Sequence, residues 1–114
     1  MDDYKMYILI NSDLGMCTGK KAGQVGHAVQ SIVEVLCNDK RDLLRKYKLC
    51  GQAKIVLKAT QVQMEELFKT YPNICKPIYD AGHTQIEAGS FTALGFYPML
   101  SSDAPDIIKK MKLL

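Results

Sequence analysis

Two short runs of the chain hold the residues best suited to chemistry. The first is Lys20, Gln24, His27 and Ser31, which recur at i, i+4, i+7 and i+11. At about 100° per residue they fall within roughly 60° of one another, so a helix here presents them as one polar stripe. The stripe begins with a lysine directly after Gly19, where a loop gives way to helix. Free backbone N–H groups at a helix start attract anions, and Lys20 adds a full positive charge. A phosphate, or the developing oxyanion of an acyl transfer, is stabilised at such a place. The bland alternative is the solvated face of an amphipathic helix.

The second run is Asp80-Ala81-Gly82-His83-Thr84-Gln85, directly after a predicted strand. A carboxylate at a strand end, followed by glycine and a hydroxyl residue in a long loop, is a common layout for a site. Its alternative is a turn in which Asp80 bonds its own backbone. His83 on its own suits a surface position or an RNA contact equally well.

Two other chemistries are excluded. Gly15, Gly19 and Lys20 suggest a nucleotide P-loop, but only three residues separate the glycines, and Lys21 stands where that motif needs Ser or Thr. A Cys17–His27 dyad fails on distance. His27 lies seven residues beyond Lys20, roughly 10 Å further along a helix, whereas a nucleophile and its base must approach within about 3 Å. Cys17 is therefore read as loop packing.

The elements that position these runs follow from periodicity. Lys5–Ile10 (KMYILI) is apolar on both alternations, as a strand buried on two faces should be. Asn11–Gly19 is a loop. From Lys20 to about Cys37, Ala22, Val25, Ala28, Val29, Ile32, Val33 and Leu36 share one side of a helix, with the polar stripe placed opposite and Thr18 as N-cap. Asp39–Leu49 predicts a second, basic helix. Ala53–Ala59 predicts a strand and Gln61–Tyr71 a helix closed by Pro72. Cys75–Tyr79 is a strand sent to a sheet edge by Pro77. Ser90–Tyr97 is the last strand, and Ala104–Met111 a final helix with Asp103 as N-cap. The order β-α-α-β-α-β-β-α implies an α/β fold: a three-layer α/β/α sandwich around a mixed four-stranded sheet.

The chain has 114 residues, 47% of them hydrophobic and 24% charged, which fits one domain over 1–114 and argues against disorder. A net charge of +3 permits a nucleic-acid partner without requiring one. Lys40, Arg41, Arg45, Lys46 and Lys48 crowd one stretch, Lys109, Lys110 and Lys112 another. They read as solvated faces or as a phosphate-facing surface. Cys17, Cys37, Cys50 and Cys75 form no C-x-x-C pair and no zinc-finger spacing, so they are expected as reduced thiols, mostly in the core. No metal site is expected. No signal peptide or membrane-length apolar run is present in this sequence, and a cytosolic protein is the expectation.

Together the two runs resemble the type II peptidyl-tRNA hydrolases. Gly19-Lys20-Lys21-Ala22-Gly23-Gln24-Val25-Gly26-His27-Ala28 is similar to that family's G-K-x-A-A-Q-x-x-H-A, and Asp80-Ala81-Gly82-His83-Thr84-Gln85-Ile86 to its D-A-G-x-T-Q-I. Asp13-Leu14, Gln52–Lys58, Gly89 followed by Thr92, and Lys112-Leu113-Leu114 add to the match, which spans nearly the whole chain. The sequence departs from the pattern at Gly23, Gly26, Ala88 and His83, the last standing where arginine is usual. The resemblance implies hydrolysis of the ester between a peptide and the terminal ribose of tRNA, without metal or cofactor. It also implies a homodimer, free in the cytoplasm because the apolar N-terminal extension of membrane-anchored members is lacking. On it, Lys20, Asp80 and Thr84 are the catalytic residues. Lys21, Gln24, His27, His83 and Gln85 are the substrate-binding ones. A non-catalytic RNA-binding module and an adaptor are the rival readings. Only the enzyme needs Lys20, Asp80 and Thr84 together.

Overall fold

The computed structural model describes residues 2–81 and 89–114. Its elements run β1 (Tyr4–Asn11), α1 (Thr18–Asp39), α2 (Arg41–Leu49), β2 (Lys54–Ala59), α3 (Gln61–Thr70), β3 (Cys75–Tyr79), β4 (Phe91–Phe96), β5 (Met99–Leu100) and α4 (Asp106–Lys109). Short 3₁₀ turns cover Ser12–Leu14 and Ser101–Asp103. The sheet order is β2-β1-β4-β3, with the two-residue β5 pairing the start of β1. β1 and β2 are parallel, and β4 is antiparallel to both β1 and β3. The mixed four-stranded sheet is therefore present, extended by one short strand, and β3 with its Pro77 does occupy an edge.

The alternation in β1 explains the three layers. Tyr7 and Leu9 join the core beneath α3 and α4, with Met64, Leu67 and Ile108. Met6, Ile8 and Ile10 join the core beneath α1 and α2, with Ala28, Ile32, Leu36, Leu44 and Tyr47. A strand buried on both faces needs apolar residues at every position, which is what β1 has. Helix α3 starts with a capping box, since Thr60 and Gln63 each bond the other's backbone N–H. The free edge of β2 is covered by the C-terminal tail. Lys58 N donates to the Lys112 carbonyl at 2.9 Å, and Leu114 N to that of Val56 at 3.0 Å. A strand edge satisfied in this way is no longer a template for aggregation.

Three local expectations are corrected. Cys17, not Thr18, stands at the N-cap of α1, and it makes no side-chain cap bond. It is exposed rather than packed, and of the four cysteines only Cys75 is buried. The last helix is four residues long and follows Pro105, while Asp103 belongs to the preceding 3₁₀ turn. The helix stops early because the chain must turn at Lys110–Met111 to lay the tail against β2.

Candidate active site

The C-terminal ends of β1, β2 and β3 lie at one end of the sheet, because β1 and β2 are parallel and β4 runs opposite to both β1 and β3. The starts of α1 and α3 follow β1 and β2 by short connections and reach the same end. This is where open α/β sheets place ligands.

Here Lys20, in the first turn of α1, forms an ion pair with Asp80, the residue after β3. Only 9% of the lysine side chain and 3% of the aspartate side chain are exposed. Removing two charges from water costs several kcal/mol per ion, repaid only when they meet in good geometry. The backbone holds Asp80 firmly: its N–H donates to the Ser90 carbonyl at 2.9 Å, and its carbonyl accepts from Gly89 N at 2.8 Å. These two bonds tie Asp80 to Gly89 and Ser90. His83, Thr84 and Gln85 lie outside the described residues.

Gln24, one helical turn after Lys20, also faces the sheet. Its Oε1 lies 2.6 Å from the hydroxyl of Thr92, which is itself 3.2 Å from the Ile78 carbonyl. Thr92 is fully buried. Ile78 pairs with Ala93 and Tyr79 with Phe91, so Thr92 is an extra residue in β4, a β-bulge. A bulge turns two successive side chains toward one face. Ala93 thus packs under α1 while Thr92 reaches Gln24.

The polar stripe is not opposite the core. Ala28, Ile32 and Leu36 are the buried residues of α1, and Lys20, Gln24 and Ser31 are half-buried along the flank of that face. Ala22, expected inside, is exposed, and so is His27. The structure therefore brings together Lys20, Asp80 and Gln24, leaves His27 on the surface, and keeps Lys21 half-buried beside Lys20. The basic helix α2 follows the far end of α1. With 22 residues in α1, that end is about 30 Å from Lys20 at ~1.5 Å per residue.

Two residues of the site were missed from the sequence. Asn11 is fully buried at the end of β1. Its Nδ2 donates to Gln61 of α3 and, at 2.8 Å, to the Phe91 carbonyl at the start of β4. Its Oδ1 accepts from Asp13 N at 2.9 Å. One amide thus ties three elements at the site's end of the sheet. The signal for Asn11 was a polar residue ending an apolar strand. For Thr92 it was a hydroxyl interrupting one.

A buried ammonium paired with a carboxylate at a helix start can hold an anion or oxyanion, and the carboxylate can orient water. Among the described residues, no three His, Cys, Asp or Glu side chains converge as a metal site would require. No helix among them is long and apolar enough to cross a membrane.

Comparison with known proteins bears directly on this geometry. Residues 4–114 match the family described as "Peptidyl-tRNA hydrolase PTH2". The chain is 39% identical over 100 residues to "Peptidyl-tRNA hydrolase 2, mitochondrial" of Mus musculus, covering 84% of this chain and 55% of that protein. It is 36% identical over 113 residues to "Probable peptidyl-tRNA hydrolase 2" of Schizosaccharomyces pombe, covering 96% and 55%. With "Peptidyl-tRNA hydrolase" of Sulfurisphaera tokodaii it shares 38% over 120 residues, covering 96% and 98%. The chain thus spans about half the length of the Mus musculus and Schizosaccharomyces pombe relatives, and nearly all of the Sulfurisphaera tokodaii one.

Proposed function

Because the chain belongs to the peptidyl-tRNA hydrolase PTH2 family, we propose that it hydrolyses the ester between a peptide, or an N-blocked aminoacyl group, and the terminal ribose of tRNA. The observation that carries this reading is the buried Lys20–Asp80 pair at the start of α1.

Ester hydrolysis needs a water, a means of orienting it, and stabilisation of the tetrahedral oxyanion. Lys20 supplies the positive charge for the oxyanion or a neighbouring phosphate. One such interaction is worth about 3–4 kcal/mol. Asp80 holds Lys20 and orients the attacking water. A carboxylate beside an ammonium is stabilised in its charged form and is a weaker base for it, which favours orientation over full proton abstraction. Thr84 positions the water or the carbonyl oxygen. Gln24, held by Thr92, and Lys21 extend the binding surface, with His83 and Gln85 as further substrate contacts. His27, on the surface, contacts RNA if it contacts the substrate at all. The reaction needs no metal, and the enzyme works as a cytoplasmic RNA-binding homodimer built from one domain.

The test is release of tRNA from N-acetyl-aminoacyl-tRNA in EDTA, by wild type and by Lys20→Ala. Turnover that EDTA spares and Lys20→Ala reduces at least a hundredfold supports the assignment. Retained tRNA binding without turnover by folded wild type would instead favour an RNA-binding module.

A further inference from the structure

A groove of about 740 Å³ opens beside the Lys20–Asp80 pair, on the α3 side of the sheet. Three of its lining residues are joined directly to Asp80. Tyr79 precedes it in the chain, and Gly89 and Ser90 make the two backbone hydrogen bonds that hold it. The groove wall therefore shares its backbone with the residues that hold Asp80.

Its lining includes three aromatic side chains. Phe68 and Phe91 contribute from α3 and β4, and the Tyr79 ring lies 5.4 Å from that of Phe91. Tyr79 keeps 49% of its surface exposed. The rim carries Glu65 and Lys69, one charge of each sign. A segment of nucleic-acid backbone needs a net positive surface to replace its counterions, and the two charges among the described lining residues cancel. A groove of this size, apolar with a few polar groups, suits a small organic side chain.

We propose that this groove receives the side chain of the amino acid at the ester, and the start of the peptide behind it, with apolar residues preferred. The inference rests on the hydrolase reading above. The tRNA then approaches from the α1 side of Asp80, so the two halves of the substrate leave the reacting carbon over opposite faces of the sheet.

The test compares kcat/KM for N-acetyl-leucyl and N-acetyl-glycyl esters of the same tRNA, using the full chain and the variants Tyr79→Ala, Tyr79→Phe and Glu65→Trp. The two single-ring variants bracket the aromatic surface. Glu65→Trp fills the groove from an exposed helix position and does not depend on Tyr79→Ala folding. Hydrophobic pockets discriminate such side chains by about 10- to 200-fold, so wild type should favour the leucyl ester at least tenfold. That ratio should drop about tenfold in Tyr79→Ala and in Glu65→Trp, and stay within about twofold in Tyr79→Phe. A wild-type ratio near one, or a ratio unchanged in the variants, overturns the proposal and leaves the hydrolase reading standing. Equal losses on both esters also overturn it and assign the groove to the terminal nucleoside. Absence of wild-type turnover on either ester overturns both readings.

Discussion

Lys20 and Asp80 depend on each other electrostatically, because neither side chain is more than 9% exposed. Removing one partner takes away the opposite charge that the other meets in a poorly hydrated place. Lys20→Ala should therefore destabilise the fold by about 3–5 kcal/mol as well as abolish turnover. Replacing both charges together, as Lys20→Met with Asp80→Asn, should recover much of that stability while activity stays lost. Urea denaturation of the two variants separates the effects. A double variant as unstable as Lys20→Ala would mean that the pair is held by something other than mutual compensation. Cys75 offers a second test at this scale. Its Sγ donates to the Tyr71 carbonyl at 3.1 Å, and burial pushes the thiol up to about 11. The thiolate is the reactive form, so Cys75 should resist alkylation at pH 8 while the exposed Cys17 and Cys37 are labelled. Mass spectrometry after brief iodoacetamide treatment reads this out, and rapid labelling of Cys75 in the folded protein would contradict its burial.

Helix α1 is positioned by contacts with β4 in which single atoms matter. A Cβ added at Gly95 would stand 2.4 Å from Ile32 Cδ1 and 3.5 Å from the Ala28 Cβ. Ile32 is fully buried. Gly95→Ala should cost about 1–3 kcal/mol through overpacking, and Ile32→Val, which removes the offending methyl, should restore part of it. A Gly95→Ala chain as stable as wild type would show that α1 can lift from β4 at little cost. Within the site, Thr92→Val should remove the hydroxyl that meets Gln24 and lower stability by about 1–3 kcal/mol, with a rise in KM for tRNA substrate. The elements themselves were legible in the sequence. KMYILI fits a doubly buried strand, and the apolar period from Ala22 to Leu36 fits a helix with one face inward, as the structure has them. The orientation of Lys20 and Gln24 was not legible. A helical wheel fixes angles between residues, but the tilt of α1 over β4 decides whether a polar flank faces solvent or the sheet end. Thr92 was hidden for a related reason: a bulge breaks the period of two on which strand reading rests. The Lys20–Asp80 contact spans 60 positions of chain and was reached through family resemblance, not through spacing.

One sheet separates two apolar cores, and Lys20, Asp80 and Gln24 gather at the end where three strands and two helices meet. The opposite end carries its own titration. Tyr47 is 1% exposed, its hydroxyl donates to the Ala53 carbonyl at 3.0 Å, and burial pushes it up from 10.0 to about 12. The folded protein thus keeps a proton that the unfolded chain gives up near pH 10. The contribution is fully present below pH 10 and is lost as pH rises toward 12. Urea midpoints measured from pH 9 to 12 should fall, with a shallower decline in Tyr47→Phe, and a flat profile would contradict the burial of the phenol. At the same end lie the α2 lysines and arginines, about 30 Å from Lys20 along α1, too far to touch the ester but able to meet the body of a long substrate. Phosphate contacts there would make KM rise steeply with salt while kcat holds.

The central claim is that Lys20 and Asp80 together form a hydrolytic centre on tRNA esters, and it is tested most directly by tRNA release from N-acetyl-aminoacyl-tRNA in EDTA. The measurement compares wild type, Lys20→Ala and Asp80→Asn, each checked for folding. The account predicts steady turnover by wild type and losses of at least about a hundredfold in both variants, with tRNA binding still detectable. Equal rates in wild type and in a folded Lys20→Ala would contradict it, because the buried pair would then be structural and the chemistry would lie elsewhere.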